Sequence, residues 1–141
     1  MTDDRTQVAA AKADLVIEPC TLVLFGASGD LAQRMVVPAV FRLARRGLLS
    51  SEFRLIGYAR SEMTDDEFRA RMQKAVMRDA TAGDEAAWTE FAPRLSYIPA
   101  EYDGDDLQGY AELARRFERL ARGAGARRLF YLPLRPRCLR R

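Results

Sequence analysis

The turn between the first strand and the first helix constrains this chain more than any other feature. The run Thr21-Leu22-Val23-Leu24-Phe25 is apolar apart from its β-branched first residue and stops at Gly26, which is the pattern of a buried strand. Directly after it stands Gly26-Ala27-Ser28-Gly29-Asp30-Leu31-Ala32. A helical segment follows, opened by Pro38 and closed by Gly47. Strand, glycine-bearing turn and helix in that order are what a dinucleotide-binding turn requires. Gly26 permits the tight turn, Gly29 lets the backbone approach a pyrophosphate, and Ala32 allows helix and strand to pack closely. Amide donors at the helix start then face the phosphate oxygens, helped by the helix dipole. A plain tight turn is the competing reading, and the strand–turn–helix context argues against it.

The rest of the chain repeats the alternation. Residues 38–46 read as a helix, with 30–37 as an irregular first turn leading into it. A second strand covers Phe53–Ala59. Thr64-Asp65-Asp66-Glu67 is a capping box that starts a helix running to about residue 79. In that helix Phe68, Met72, Ala75, Val76 and Asp79 hold the helical spacing, while Arg69, Arg71 and Lys74 face water. A shorter helix over 84–92 carries Trp88 as a core anchor. Leu95–Pro99 is a third strand, and Leu107, Tyr110, Leu113, Phe117 and Leu120 form a helical stripe over 106–122. A fourth strand covers 128–132. The order predicts an α/β fold: a Rossmann-type doubly wound parallel sheet, an incomplete half with about four strands. Residues 1–19 read as a flexible arm, 20–132 as the dinucleotide-binding domain and 133–141 as a basic, aberrant tail.

The end of the second strand bears on which dinucleotide is held. An acidic residue there would bind the ribose 2′-hydroxyl and select NAD. The strand ends instead in Gly57-Tyr58-Ala59-Arg60, and an arginine can clamp the 2′-phosphate of NADP. The competing reading is a solvated loop arginine in a chain whose basic residues are nearly all arginine. Glu62 lies close by, which keeps some use of NAD open.

Composition removes several classes. With 141 residues the chain suits one domain with a real core. The formal charge of +3 rests on Arg135, Arg137, Arg140 and Arg141 near the C-terminus, so the body lacks the basic face of a nucleic-acid reader. No apolar run approaches the ~20 residues that span a bilayer, and the acid-bearing N-terminus is no secretory signal. A cytoplasmic location is expected. Cys20 and Cys138 lie far apart and there is no histidine, which excludes the common zinc sites and a histidine base. No catalytic or metal-ligating residue is assigned.

The string FGASGDLAQRMVVPAVFRL at 25–43, with IGYAR at 56–60 and LFYL at 129–132, resembles the glucose-6-phosphate dehydrogenase family over about 20–141. The resemblance implies the N-terminal NADP-binding part of an enzyme that oxidises glucose 6-phosphate to 6-phosphogluconolactone, at the entry to the pentose phosphate pathway. By the resemblance Gly26, Ala27, Ser28, Gly29, Asp30, Leu31, Ala32 and Gln33 line the NADP phosphates, and Arg60 holds the 2′-phosphate. Met35 stands where the family carries a lysine of the active site, and Arg135 where it carries the first of two prolines. Family members run several times this length, and their catalytic histidine–aspartate pair has no counterpart here. The chain alone is expected to be inactive. A non-catalytic NADP-binding module and a small Rossmann-type reductase stay open as alternatives. The reductase lacks a Tyr-x-x-x-Lys pair, because the only lysines are Lys12 and Lys74. In a 3-2-1-4-5-6 strand order the fourth strand is internal, so ending at 141 leaves it as an apolar edge, and self-association there is expected.

Overall fold

The computed structural model describes residues 18–100, 107–119 and 127–132. The strands are β1 (Thr21–Phe25), β2 (Arg54–Ala59), β3 (Leu95–Pro99) and β4 (Arg128–Tyr131). They form one parallel sheet in the order β3-β2-β1-β4. The helices are α1 (Val37–Arg45), α2 (Asp65–Val76), α3 (Asp84–Phe91) and α4 (Leu107–Arg119). The predicted strands differ from the observed ones by at most a residue at either end.

The strands β1, β2 and β3 are covered on both faces, which explains why they are near-continuous apolar runs, whereas β4 is exposed. Leu24, Leu55, Ala59, Leu95 and Tyr97 belong to the core shared with Phe41, Phe68, Met72, Trp88 and Phe91 from α1, α2 and α3. The intervening residues Val23, Phe25, Ile56, Tyr58 and Ile98 pack with Leu113 and Phe117 of α4. Trp88 is an anchor as expected, 3% exposed and edge-on to Phe41 at 5.7 Å between ring centroids.

Residues 30–37 differ from expectation. The chain is helical from Asp30 onward, and Ala32–Val36 form a widened π turn in which the Val37 amide donates to the Ala32 carbonyl. Proline 38 explains it. It has no N–H to donate, and its ring would strike the carbonyl one turn back, so the helix opens around it. Pro38 sits inside one continuous helical path rather than at its start.

Helix α2 begins as predicted, with the Glu67 amide donating to Thr64 Oγ1 at 3.1 Å. The Glu67 carboxylate does not reach back to the Thr64 amide but accepts from the Thr64 hydroxyl at 3.3 Å. The helix ends at Val76, and Met77–Asp79 continue as a 3-10 turn. Thr64→Ala is expected to cost about 1 kcal/mol, read as a Tm fall of roughly 3–4 °C in thermal unfolding. An unchanged Tm would show that the cap contributes nothing.

Arg69, expected in water, instead donates from Nε to the Leu95 carbonyl at 2.9 Å and ties α2 to the start of β3. Asp84 opens α3 and accepts from the Thr81 amide at 2.8 Å and from Arg45 Nε at 2.9 Å. The Thr81 amide holds the Asp84 carboxyl below the usual carboxylate range, aided by the Thr81 hydroxyl and the Arg45 guanidinium against a smaller effect of burial. Glu18, counted with the N-terminal arm, forms an ion pair with Arg127 ahead of β4. Residues 1–17 of that arm, the C-terminal tail and the predicted ends of α4 lie outside the described residues.

Candidate functional site

The site is built at the C-terminal edge of the sheet. The amide of Gly26 donates to the Tyr58 carbonyl at 2.8 Å, so the chain leaves β1 still bonded to β2 and turns at once. Gly26 makes that turn at φ 73°, a conformation that costs other residues roughly 1–2 kcal/mol. The Gly29 amide then donates back to the Gly26 carbonyl at 2.9 Å. A β carbon on Gly29 would stand only 3.1 Å from that carbonyl, so the tightness of the turn depends on glycine here.

Helix formation starts at Asp30, where the Gln33 amide reaches the Gly29 carbonyl at 3.4 Å. Asp30, Leu31 and Ala32 are therefore the first helical residues, whose amides have no carbonyl one turn behind them. Their amide donors and the positive end of the helix dipole point the same way, an arrangement suited to an anion. Ala27 and Ala32 are buried beneath it, Ser28 and Gln33 are half-buried, and Gly29, Asp30 and Leu31 are exposed. Asp30 pairs with Arg34 at 3.0 Å across the helix surface. Gln33 Nε2 turns back toward the Ser28 carbonyl at 3.5 Å. Met35 is 63% exposed on the π turn.

Arg60 leaves the same sheet edge from the neighbouring strand and is exposed. It lies two residues beyond Tyr58, whose carbonyl receives the Gly26 amide, so the turn and Arg60 are brought to one side of the molecule. The loop behind it is held in place. Tyr97 Oη donates to the Ser61 carbonyl at 2.6 Å, and the Tyr97 amide donates to Asp65 Oδ1 at 2.7 Å. β3 thus fixes the path of the chain on which Arg60 sits.

The roles of three supporting residues escaped the sequence reading. Gly57 lies in β2 directly under the turn, where an added β carbon would come within 2.8 Å of Ala27 Cβ and 2.9 Å of Phe68 Cζ. Gly109 in α4 lies against Tyr58 and Ala100 with no room for a β carbon. A glycine inside an apolar strand signals a close approach, and Gly57 carried that signal in the sequence. Tyr97 also escaped, because nothing local ties its hydroxyl to residue 61.

Among the described residues no group of histidine, cysteine or carboxylate side chains could hold a metal ion, and no helix is long and apolar enough to cross a membrane. Residues 23–141 match the family described as glucose-6-phosphate dehydrogenase, NAD binding domain. The glucose-6-phosphate 1-dehydrogenase of Chlamydia pneumoniae is 40% identical over 121 residues, which is 84% of this chain and 23% of that protein. Glucose-6-phosphate 1-dehydrogenase 2 of Mycobacterium bovis is 38% identical over 122 residues, with the same coverage of 84% and 23%. The chain spans about a quarter of the length of these relatives. A glucose-6-phosphate dehydrogenase in complex with its substrate glucose 6-phosphate superposes with a TM-score of 0.75 at 35% identity, covering 87% of this chain and 26% of that one. The Mycobacterium avium enzyme gives a TM-score of 0.68 at 34% identity, covering 84% and 24%. Strand, turn and helix at the edge of the parallel sheet therefore belong to a nicotinamide-dinucleotide domain, and the chain is a member of the glucose-6-phosphate dehydrogenase family, matching its NAD-binding domain.

Proposed function

We propose that this chain holds NADP for the oxidation of glucose 6-phosphate to 6-phosphogluconolactone, with residues 20–132 as the dinucleotide-binding unit. The observation that carries the reading is the shared sheet edge of the glycine turn and Arg60. Gly26, Ala27, Ser28, Gly29, Asp30, Leu31, Ala32 and Gln33 would bind and orient the pyrophosphate, with the amides of the first helical turn as donors. Arg60 would clamp the 2′-phosphate through its planar fork of donors. When bound, the nicotinamide supplies the acceptor for a hydride from the sugar. Glucose 6-phosphate enters this reading through the substrate-bound relative. The chain has no histidine, so its own share is to position the cofactor while the proton from the sugar hydroxyl goes elsewhere. As an isolated polypeptide it is expected to bind the dinucleotide without turning the sugar over.

Arg60→Ala tests the cofactor choice by calorimetric titration. Charge-assisted bonds of about 1.5–3 kcal/mol predict a fall in NADP affinity of roughly 10–150-fold, with NAD affinity nearly unchanged. Equal losses for both cofactors would remove Arg60 from the 2′-phosphate.

The reading extends to partners and place. β4 is the outer strand of the described sheet and exposes Leu129, Phe130 and Tyr131, each more than 40% accessible, so a second copy would pair along it. Cys20 is a buried free thiol whose pKa burial pushes up, in keeping with a cytoplasmic protein.

A further inference from the structure

A second basic feature lies away from the glycine turn. A cleft of about 460 Å³ runs along α1 beside the end of α2 and the start of α3. Five guanidinium groups line it, those of Arg34, Arg42, Arg45, Arg46 and Arg78, against the two carboxylates of Asp79 and Asp84. Arg34 is engaged by Asp30 and Arg45 by Asp84. Arg42, Arg46 and Arg78 have no carboxylate partner among the described residues. Pro38, Phe41 and Val76 supply an apolar lining between them.

Arginines near helix ends commonly do no more than complement the helix dipole, and Arg42 and Arg45 do stand in the last turn of α1. That accounts for single positions but not for their convergence. Arg34 lies near the opposite end of the helical path, and Arg78 comes from the 3-10 turn after α2. Charges of one sign lining a concave surface with low-dielectric walls concentrate the field and attract counter-ions. The guanidinium fork matches phosphate oxygens in pairs, and the volume falls in the range of small-ligand sites.

We propose that this cleft is a second anion site, separate from the dinucleotide turn, for a small molecule bearing two or more linked phosphate groups. Arg42, Arg46 and Arg78 supply the three free positive charges, and the bounded cleft favours a short polyphosphate over an extended polymer. Gln33 also lines the cleft, and its side chain reaches the Ser28 carbonyl of the turn, so an occupant would touch the helix that carries the cofactor amides.

The test uses the 141-residue chain with tripolyphosphate as probe, followed by the arginine Nε–Hε resonances in two-dimensional NMR. Saturable shifts at Arg42, Arg46 and Arg78 are expected, together with at least about a tenfold loss of affinity in the Arg42→Ala/Arg46→Ala/Arg78→Ala variant. Orthophosphate is expected to bind at least about tenfold more weakly than the linked phosphates. Arg60→Ala should leave the tripolyphosphate titration read at Arg42, Arg46 and Arg78 unchanged. Shifts confined to the amides of 26–33 would overturn the proposal, because the probe would then be reading the dinucleotide turn. Non-saturating shifts at arginines all over the surface would overturn it too. Circular dichroism of the triple variant establishes that it is folded. If it is not, the single variants Arg42→Gln and Arg78→Gln replace it, each expected to weaken binding about tenfold, and unchanged affinity in both would reject the site.

Discussion

Gly57→Val is expected to abolish dinucleotide binding and to destabilise the fold by about 3 kcal/mol or more. Gly57 lies where β2 passes under the phosphate turn, and Ala27, Phe68 and Tyr97 already occupy the space a side chain would enter. Phe68 is fully buried and Tyr97 nearly so, so neither ring can swing out into water. The turn is then the part that must move, carrying Gly26 and Gly29 away from their mutual hydrogen bond. The smaller change Gly57→Ala should cost about 1–3 kcal/mol, a Tm fall of roughly 3–10 °C. Its nearest obstacle is the methyl of Ala27, which makes a compensating change available. Adding Ala27→Gly to Gly57→Ala should recover part of the loss, with a coupling of about 0.5–3 kcal/mol between the two sites. Thermal unfolding and cofactor titration of the four proteins in that cycle measure it. A neutral Gly57→Ala would show that the turn does not rest on β2.

Trp88→Ala is expected to cost about 3–5 kcal/mol, the range for removing a large aromatic from a packed core. A chain of this size would then lose roughly 10–17 °C in Tm, out of a total stability of about 5–15 kcal/mol. Trp88 is one corner of an aromatic triangle with Phe41 and Phe91, whose centroids lie 5.6–5.7 Å apart. Phe41 is on α1 and the other two on α3, so the triangle fixes the helix that leads out of the phosphate turn. Truncating Trp88 leaves a cavity that α1 can close only by shifting, so cofactor affinity should fall along with stability. A Tm change below about 3 °C would mean that the triangle is not what anchors α1.

Much of this was legible in the sequence because its signals are local. A strand ending in glycine, the spacing of Gly26 and Gly29 and the small residue at 32 each state a requirement of the backbone itself. The parallel sheet followed from alternation, the strand order from the doubly wound fold that a dinucleotide turn implies, and the cap at Thr64 from residue type. Other features depend on what lies across space. Pro38 reads as a helix start because proline is at home there, and only the preceding residues, which carry the helix through a widened turn, reveal otherwise. Arg69 points outward on a helical wheel, yet its long stem reaches the Leu95 carbonyl, since a wheel gives direction and not reach. The arginine cleft was invisible for the same reason, because residues 34, 42, 46 and 78 meet only once α1 lies beside the end of α2.

The register of β4 sets an order of assembly. Thr21 pairs with Arg128, so this junction joins residues more than a hundred positions apart, and β1 is the only described strand that β4 touches. The junctions β1–β2 and β2–β3 close much shorter loops and belong to the part buried by α1, α2 and α3. Long-range pairing is the slow step in folding, and a growing chain emerges from its N-terminus. The 29 positions from Pro99 to Arg128 take roughly 2–6 s to synthesise. By the start of that interval β1, β2 and β3, which carry the glycine turn and Gly57, have all been made and can pair. In the folded chain the same asymmetry runs in reverse: the amides of exposed β4 should exchange with solvent well before those of β2, and the glycine turn should outlast the loss of its neighbouring strand.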